Sequence, residues 1–209
     1  MTGTGSERFP GDDDDVGRES AAHEAAAAFR PIPGGAACYF EPAQAGVIRS
    51  LVGQVAELVA SDRDNEPANQ GSGPDELEML LGLSANDEPP EDPVLARLLP
   101  DGYSDDPEAS AEFRRYTEET LRSGKIASAQ AVLAALPAEG GEVVLSEPEC
   151  QQWLRALNDV RLALGIRLGI TDENEDLTED LSLDEPRSAY VWVYQWLAYL
   201  QDSLIEALT

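Results

Sequence analysis

The stretch Asp106–Pro137, DPEASAEFRRYTEETLRSGKIASAQAVLAALP, decides the fold. It opens on Asp-Pro: Asp is a strong helix N-cap, and Pro at the first helical position gives up no hydrogen bond. No other Pro occurs before Pro137, and good helix formers fill the interval, so the spacing predicts a helix to about Leu136. Its first half sets Phe113, Tyr116, Thr117, Thr120 and Leu121 on an inner side. Its second half sets Ile126, Ala129, Leu133 and Leu136 there. The two stripes do not line up on one straight helix, which predicts a bend or break near Ser123-Gly124.

The same punctuation recurs on both sides. Asp92-Pro93 starts a short helix carrying Val94, Leu95, Leu98 and Leu99 and stopped at Pro100, and Asp75–Leu83 reads as another short helix with acidic residues in its first turn. Ser146-Glu147-Pro148-Glu149 has the form of a capping box and opens a helix over Glu147–Gly169. Glu41–Ala60 carries Val47, Ile48, Leu51, Val52, Val55, Leu58 and Val59 as one broad apolar stripe. A last helix, Ser188–Leu208, is dense in aromatics: Tyr190, Trp192, Tyr194, Trp196 and Tyr199. It reads as a core helix, with a homodimer interface as the alternative, because aromatics anchor interfaces. Pro33-Gly34-Gly35 turns between the apolar runs Phe29–Ile32 and Ala36–Phe40, a hairpin that Val143–Leu145 could join. Pro31 and Pro33 weaken that hairpin, since Pro cannot donate to a ladder. The expected fold is mainly α: a single helical domain of five to six helices with a small β-hairpin or three-stranded element.

Charge divides the 209-residue chain unevenly. It carries 41 Asp and Glu against 14 Lys and Arg, a net charge of −27. Asp105–Ile170 holds seven basic and eleven acidic side chains, net −4, so −23 lies elsewhere. Residues 1–28 have too few large apolar side chains to offset ordering entropy and read as a disordered acidic arm. Residues 29–209 form the helical domain, with acidic loops at 61–75, 84–92 and 171–187. A charge of −27 weighs against unaided binding to DNA, RNA or anionic membrane. No apolar run is long enough to span a bilayer, and the polar, acidic start is no signal peptide, so a cytoplasmic location is expected.

Candidate chemistry is sparse. His23 is the only His and lies in the arm, which leaves no credible Ser-His or Cys-His pair. One His and two Cys cannot make a four-ligand His/Cys cluster, and no phosphate loop or dinucleotide fingerprint occurs. No enzyme activity, metal or cofactor is therefore expected. Cys38 and Cys150 are either two unrelated reduced thiols or a reversible redox pair. Cys150 sits in a helix first turn, where the dipole lowers a thiol pKa while Glu147 and Glu149 raise it. Arg114, Arg115, Arg122 and Lys125 share one helical stretch and, with Arg155, are candidates for contacting an acidic partner; ordinary solvated charge is the alternative. Arg161 falls on the apolar face formed by Leu154, Leu157, Leu164 and Leu168, so it must be paired or aimed into a cleft. It reads as a structural ion pair, with Glu112, Glu118 or Asp202 as possible partners.

Three strings in order, DPVLARLLPDGYSDDPEASAEFRRYTEETLRSGK, WLRALNDVRLALGIRLGI and YVWVYQWLAYLQDSLIEAL, resemble an actinobacterial family of AosR-like oxidative-stress transcriptional regulators. The upstream GVIRSLVGQVAELV is similar to the first helix of that family, and the resemblance covers about residues 29–208. It implies a cytoplasmic, mainly helical protein acting in redox-responsive transcription with a sigma factor or RNA polymerase. Members of the family typically lie beside the ClpS adaptor and cysteine-synthesis genes. The resemblance maps no redox role onto Cys38 or Cys150. Function is thus expected to be that of a redox-responsive regulator touching DNA only locally or indirectly. The alternative is a protein-interaction or adaptor module without DNA contact.

Overall fold

A computed structural model describes residues 27–61, 89–103, 105–170 and 186–209. The expected helix Asp75–Leu83, nearly all of the expected arm and most of the acidic loops lie outside the described residues. Strand β1 (Arg30–Ile32) turns through Pro33 and Gly34 into β2 (Gly35–Phe40). Helix α1 (Pro42–Ser61), short α2 (Pro93–Leu98) and long α3 (Pro107–Ala135) follow. Then come β3 (Gly141–Ser146), α4 (Glu147–Leu168) and α5 (Pro186–Ala207). The described protein is mainly α, five helices with one three-stranded antiparallel sheet, as the sequence predicts.

The sheet order is β1-β2-β3. Ile32 pairs with Gly35 across the turn, and Ala36 sits between Pro31 on one side and Leu145 on the other. Pro31 is tolerated because β1 is an edge strand, where one row of N–H groups has no ladder to join. Gly34 takes φ 80° in the turn, and a Cβ on Gly35 would lie 1.8 Å from the Leu145 carbonyl oxygen, so the ladder closes only over a bare backbone.

The helix starts form as the sequence dictates. Asp92 accepts hydrogen bonds from the Val94 and Leu95 N–H groups, and Asp106 accepts from that of Ala109. The Ser146 N–H and hydroxyl both donate to Glu149, which lowers that carboxyl's pKa. α4 ends on Gly169 in the left-handed conformation, φ 67°.

Helix α4 is the centre of the fold and touches the other four helices, β2 and β3. Trp153 on α4 is fully buried, with Phe29 edge-on at 5.6 Å and Phe40 stacked at 5.8 Å. Ala27, at the end of the expected arm, is already buried in this core. On α5, Val191, Trp196, Leu197, Leu200 and Leu204 face inward, while Tyr190, Trp192 and Tyr199 are exposed. The aromatic helix is therefore core along one face and surface along the other.

Helix α3 corrects one expectation. It runs through Ser123 and Gly124 without interruption, so no break occurs there. Phe113, Tyr116 and Leu121, expected inside, are exposed. The buried positions are Ser110, Arg114, Glu118 and Arg122, then Ala129, Val132 and Leu136, with Ser128 beside Ala129. These form one continuous stripe at steps of three, four and seven, the period of a straight helix. The first half buries charge, which a search for an apolar stripe passes over.

Candidate interaction site

The inner face of α3 is an ionic spine. Glu118, buried, accepts from Arg114 one turn before it at 2.9 Å and from Arg122 one turn after it at 2.8 Å. Arg114 also pairs with Asp101 and donates to the Leu99 carbonyl. Burial alone would push a guanidinium pKa down. The hydrogen bonds that Arg114 donates to Glu118 and Asp101, with the charges of those carboxylates, outweigh it, and its pKa is raised. Arg122 donates to the Val59 carbonyl at 2.9 Å. Lys125, one turn further on, meets the buried Asp159 of α4 at 2.7 Å. Desolvation raises the Asp159 pKa against the pull of Lys125.

These arginines share a second task. The last carbonyls of a helix lack intrahelical donors and carry its negative dipole end. Arg122 serves α1 at Val59, and Arg114 serves α2 at Leu99. Arg49 serves α3 at Leu133 and Leu136, and Arg187 serves α4 at Leu168. Four helix C-termini are thus held by guanidinium groups from other elements, a use that suits the multi-donor fork of Arg better than Lys.

The candidate partner-contacting residues separate accordingly. Arg114 and Arg122 are buried in the spine, and Lys125 is committed to Asp159, so three of the five do not form a basic surface. Their charges are matched by carboxylates because a desolvated charge needs a close counter-ion. Arg115 is half-buried and Arg155 exposed on α4. Arg161 is half-buried. It donates to the Gln201 side-chain oxygen at 2.8 Å and lies 5.2 Å from the centre of the Tyr194 ring. Its described contacts are an amide and a ring rather than the carboxylate expected from the sequence; Asp202, one residue beyond Gln201, points to solvent.

Both cysteines are buried and free of any disulfide. Cys38 lies on β2, and desolvation pushes its thiol pKa up to about 12. Cys150 lies in the first turn of α4 against the Leu145 carbonyl; desolvation raises its pKa too, opposed by the Ala36 N–H. Ala36 is two residues from Cys38 on the same face of β2, so the Cys150 thiol meets that face two residues from Cys38.

What the sequence reading missed is an open depression of about 210 Å³ beside the spine. Phe113, Thr117 and Leu121 form one wall and Leu99–Gly102 the other, with Arg114 and Glu118 between. Phe113 lies against Gly102, where a Cβ would stand 2.6 Å from its ring, and Tyr103 meets it edge-on at 6.1 Å. The Ser110 hydroxyl bonds both the N–H and the C=O of Tyr103 and pins the loop to α3. The spacing of Phe113, Thr117 and Leu121 carries the signal, but as a pattern it reads the same for a core stripe as for a groove wall.

Fold and site together define a mainly helical domain with a buried ionic spine and an open aromatic depression at its side. The chain belongs to the DUF2017 family, described as a domain of unknown function, whose profile matches residues 26–208. It is similar to the oxidative stress regulator AosR of Mycobacterium tuberculosis, 35% identical over 181 residues that cover 80% of this chain and 79% of the relative. The AosR of Mycobacterium bovis and the putative oxidative stress regulator AosR of Mycobacterium leprae match to the same extent. No solved structure matches the chain. These relatives are named as regulators, not as enzymes. Among the described residues, no helix is long and apolar enough to cross a membrane.

Proposed function

We propose that the chain is a cytoplasmic, redox-responsive transcriptional regulator that works by protein contact with a sigma factor or RNA polymerase and does not grip DNA by itself. The names of its relatives support the regulatory role. The burial of Arg114 and Arg122 carries the protein-contact part, because these two of the four basic residues on the longest helix are spent on Glu118, Asp101 and helix termini, and a third, Lys125, is paired with Asp159. Phosphate contacts need exposed cations to displace counter-ions, and the net charge of −27 opposes approach to DNA.

Mobility-shift assays on a promoter fragment, with and without RNA polymerase holoenzyme, test this. The expected result is no shift by the chain alone and its entry into the holoenzyme complex. A shift by the chain alone, or failure to join the complex, overturns the reading; the second result with other proteins bound would favour an adaptor role. Cys38 and Cys150 are the proposed redox pair, supported by the contact of the Cys150 thiol with Ala36, two residues from Cys38 on the same face of β2. Self-association through Tyr190, Trp192 and Tyr199 is proposed for the outer edge of α5 and is tested by sedimentation of the Trp192→Ser variant.

A further inference from the structure

We propose that the depression between α3 and the Leu99–Tyr103 loop is a docking groove for a basic amphipathic helix of a partner protein, one that inserts an apolar side chain between flanking Arg or Lys residues. The inference names the chemistry of the partner in the reading above and rests on that reading for which protein supplies it. The α3 wall is open: Phe113 and Leu121 are each at least 40% exposed, Tyr103, also exposed, meets Phe113 edge-on beside the groove, and exposed Tyr116 stands one helical step from Phe113. Large apolar side chains clustered at the surface mark interaction sites more often than chance exposure does.

Charge selects the occupant. Asp101 lines the groove, and Asp105, Asp106, Glu108 and Glu112 are exposed at the same end of α3. Among the described residues, Arg114 is the one cation lining the groove; it is only 5% exposed and already bonded to Glu118 and Asp101. The groove therefore offers apolar contact beside Asp101 and the acidic N-terminal end of α3. An acidic or phosphate-bearing ligand would meet like charge with no uncommitted cation among the described lining residues, whereas Arg or Lys flanking a Leu or aromatic anchor would meet complementary charge. The groove inverts the expectation that the basic residues of this helix contact an acidic partner.

Fluorescence anisotropy with the full chain tests the inference, using a synthetic amphipathic helical peptide with Leu anchors flanked by Arg, and the same peptide with Glu in place of Arg. The Arg peptide is expected to bind at physiological salt, and the Glu peptide at least tenfold more weakly. Leu121→Ser, at an exposed wall position, and Glu112→Lys are each expected to weaken the Arg peptide fivefold or more with an unchanged melting temperature. Equal binding of the two peptides overturns the groove. So does Arg-peptide binding that Leu121→Ser leaves unchanged, since attraction to the overall negative charge would need no apolar wall. A chain that binds the Arg peptide in this way but never joins the holoenzyme removes the transcription reading and leaves the groove. A chain that joins the holoenzyme while neither variant weakens the peptide does the reverse.

Discussion

Arg122 reaches from the middle of α3 to the last turn of α1 and donates through Nη1 to the Val59 carbonyl at 2.9 Å. The same guanidinium holds the buried Glu118 carboxylate. One side chain thus neutralises a charge on its own helix and caps a neighbouring one. Removing it leaves Glu118 with Arg114 alone and the Val59 carbonyl without this donor. Arg122→Ala is expected to cost about 3–5 kcal/mol, the usual penalty for breaking a buried ion pair from one side. Replacing Arg114, Glu118 and Arg122 together by Met, Leu and Met is expected to cost much less than the sum of the three single losses, because no charge is then stranded. Urea denaturation of the singles and the triple decides it; additive losses would show that the spine is not a coupled unit.

Asp159 supplies a prediction with a sign. Burial raises its pKa in the fold, and Lys125 opposes that rise. A raised carboxyl pKa means that the fold prefers the protonated acid. That preference is fully present below the ordinary Asp pKa and is lost as pH rises through the folded value. Lys125→Met removes the opposing charge, so the folded value climbs further. The variant is expected to be about 3–5 kcal/mol less stable than the parent at pH 7, with the gap narrowing steadily towards pH 4 as Asp159 takes up a proton. Paired denaturation curves at the two pH values measure it. A gap independent of pH would mean that Lys125 acts through packing alone.

Cys38 titrates on the alkaline side. Its thiol is held near 12 in the fold by desolvation, well above the unfolded value of about 9. The neutral thiol's contribution is complete below pH 9 and is lost as pH rises towards 12, at about 1.4 kcal/mol per pH unit. Parent and Cys38→Ala stabilities are expected to converge or cross between pH 8 and pH 11, Cys38→Ala losing less. Because the thiolate is the reactive form, native Cys38 and Cys150 are expected to react slowly with a disulfide reagent at pH 8, and faster in sub-denaturing urea. Mass spectrometry after peroxide is expected to show a Cys38–Cys150 link formed on the same slow timescale. Rapid stoichiometric labelling of either thiol in the native chain would contradict the burial.

Most of the architecture was legible because its signals are local. Asp-Pro at 92 and 106, the Ser146 to Glu149 box and Gly169 fix helix ends through contacts within one turn, and Pro33-Gly34 fixes the hairpin. The inner face of α3 was not legible, because burying Arg114, Glu118 and Arg122 depends on acceptors distant in sequence, the Leu99 and Val59 carbonyls. A hydrophobic pattern assigns Phe113 and Leu121 to the interior and those three to solvent, which is the reverse of their placement. The same inversion hid the groove, since its walls are the residues the pattern assigned to the core. The i, i+4, i+8 spacing of Arg114, Glu118 and Arg122 is readable, but it looks alike on a solvated and on a buried face.

Arg161 and Arg155 lie on the same helix and offer a matched comparison. Arg161 bonds the Gln201 side chain and lies over the Tyr194 ring, and the Gln201 amide in turn donates to the Leu154 carbonyl. The three groups tie α4 to α5, and an Arg161→Ala change leaves the Gln201 oxygen without this donor in a buried position. The loss is expected to be about 1–3 kcal/mol, combining a charged hydrogen bond with a cation–π contact. Arg155 is exposed, so Arg155→Ala is expected to stay within about 0.5 kcal/mol of the parent. Arg161→Lys keeps the charge and loses the planar fork, and is expected to fall between the two. Thermal melts of the three variants give the order; equal melting temperatures for Arg161→Ala and Arg155→Ala would show that the Gln201 and Tyr194 contacts contribute nothing to the joining of α4 and α5.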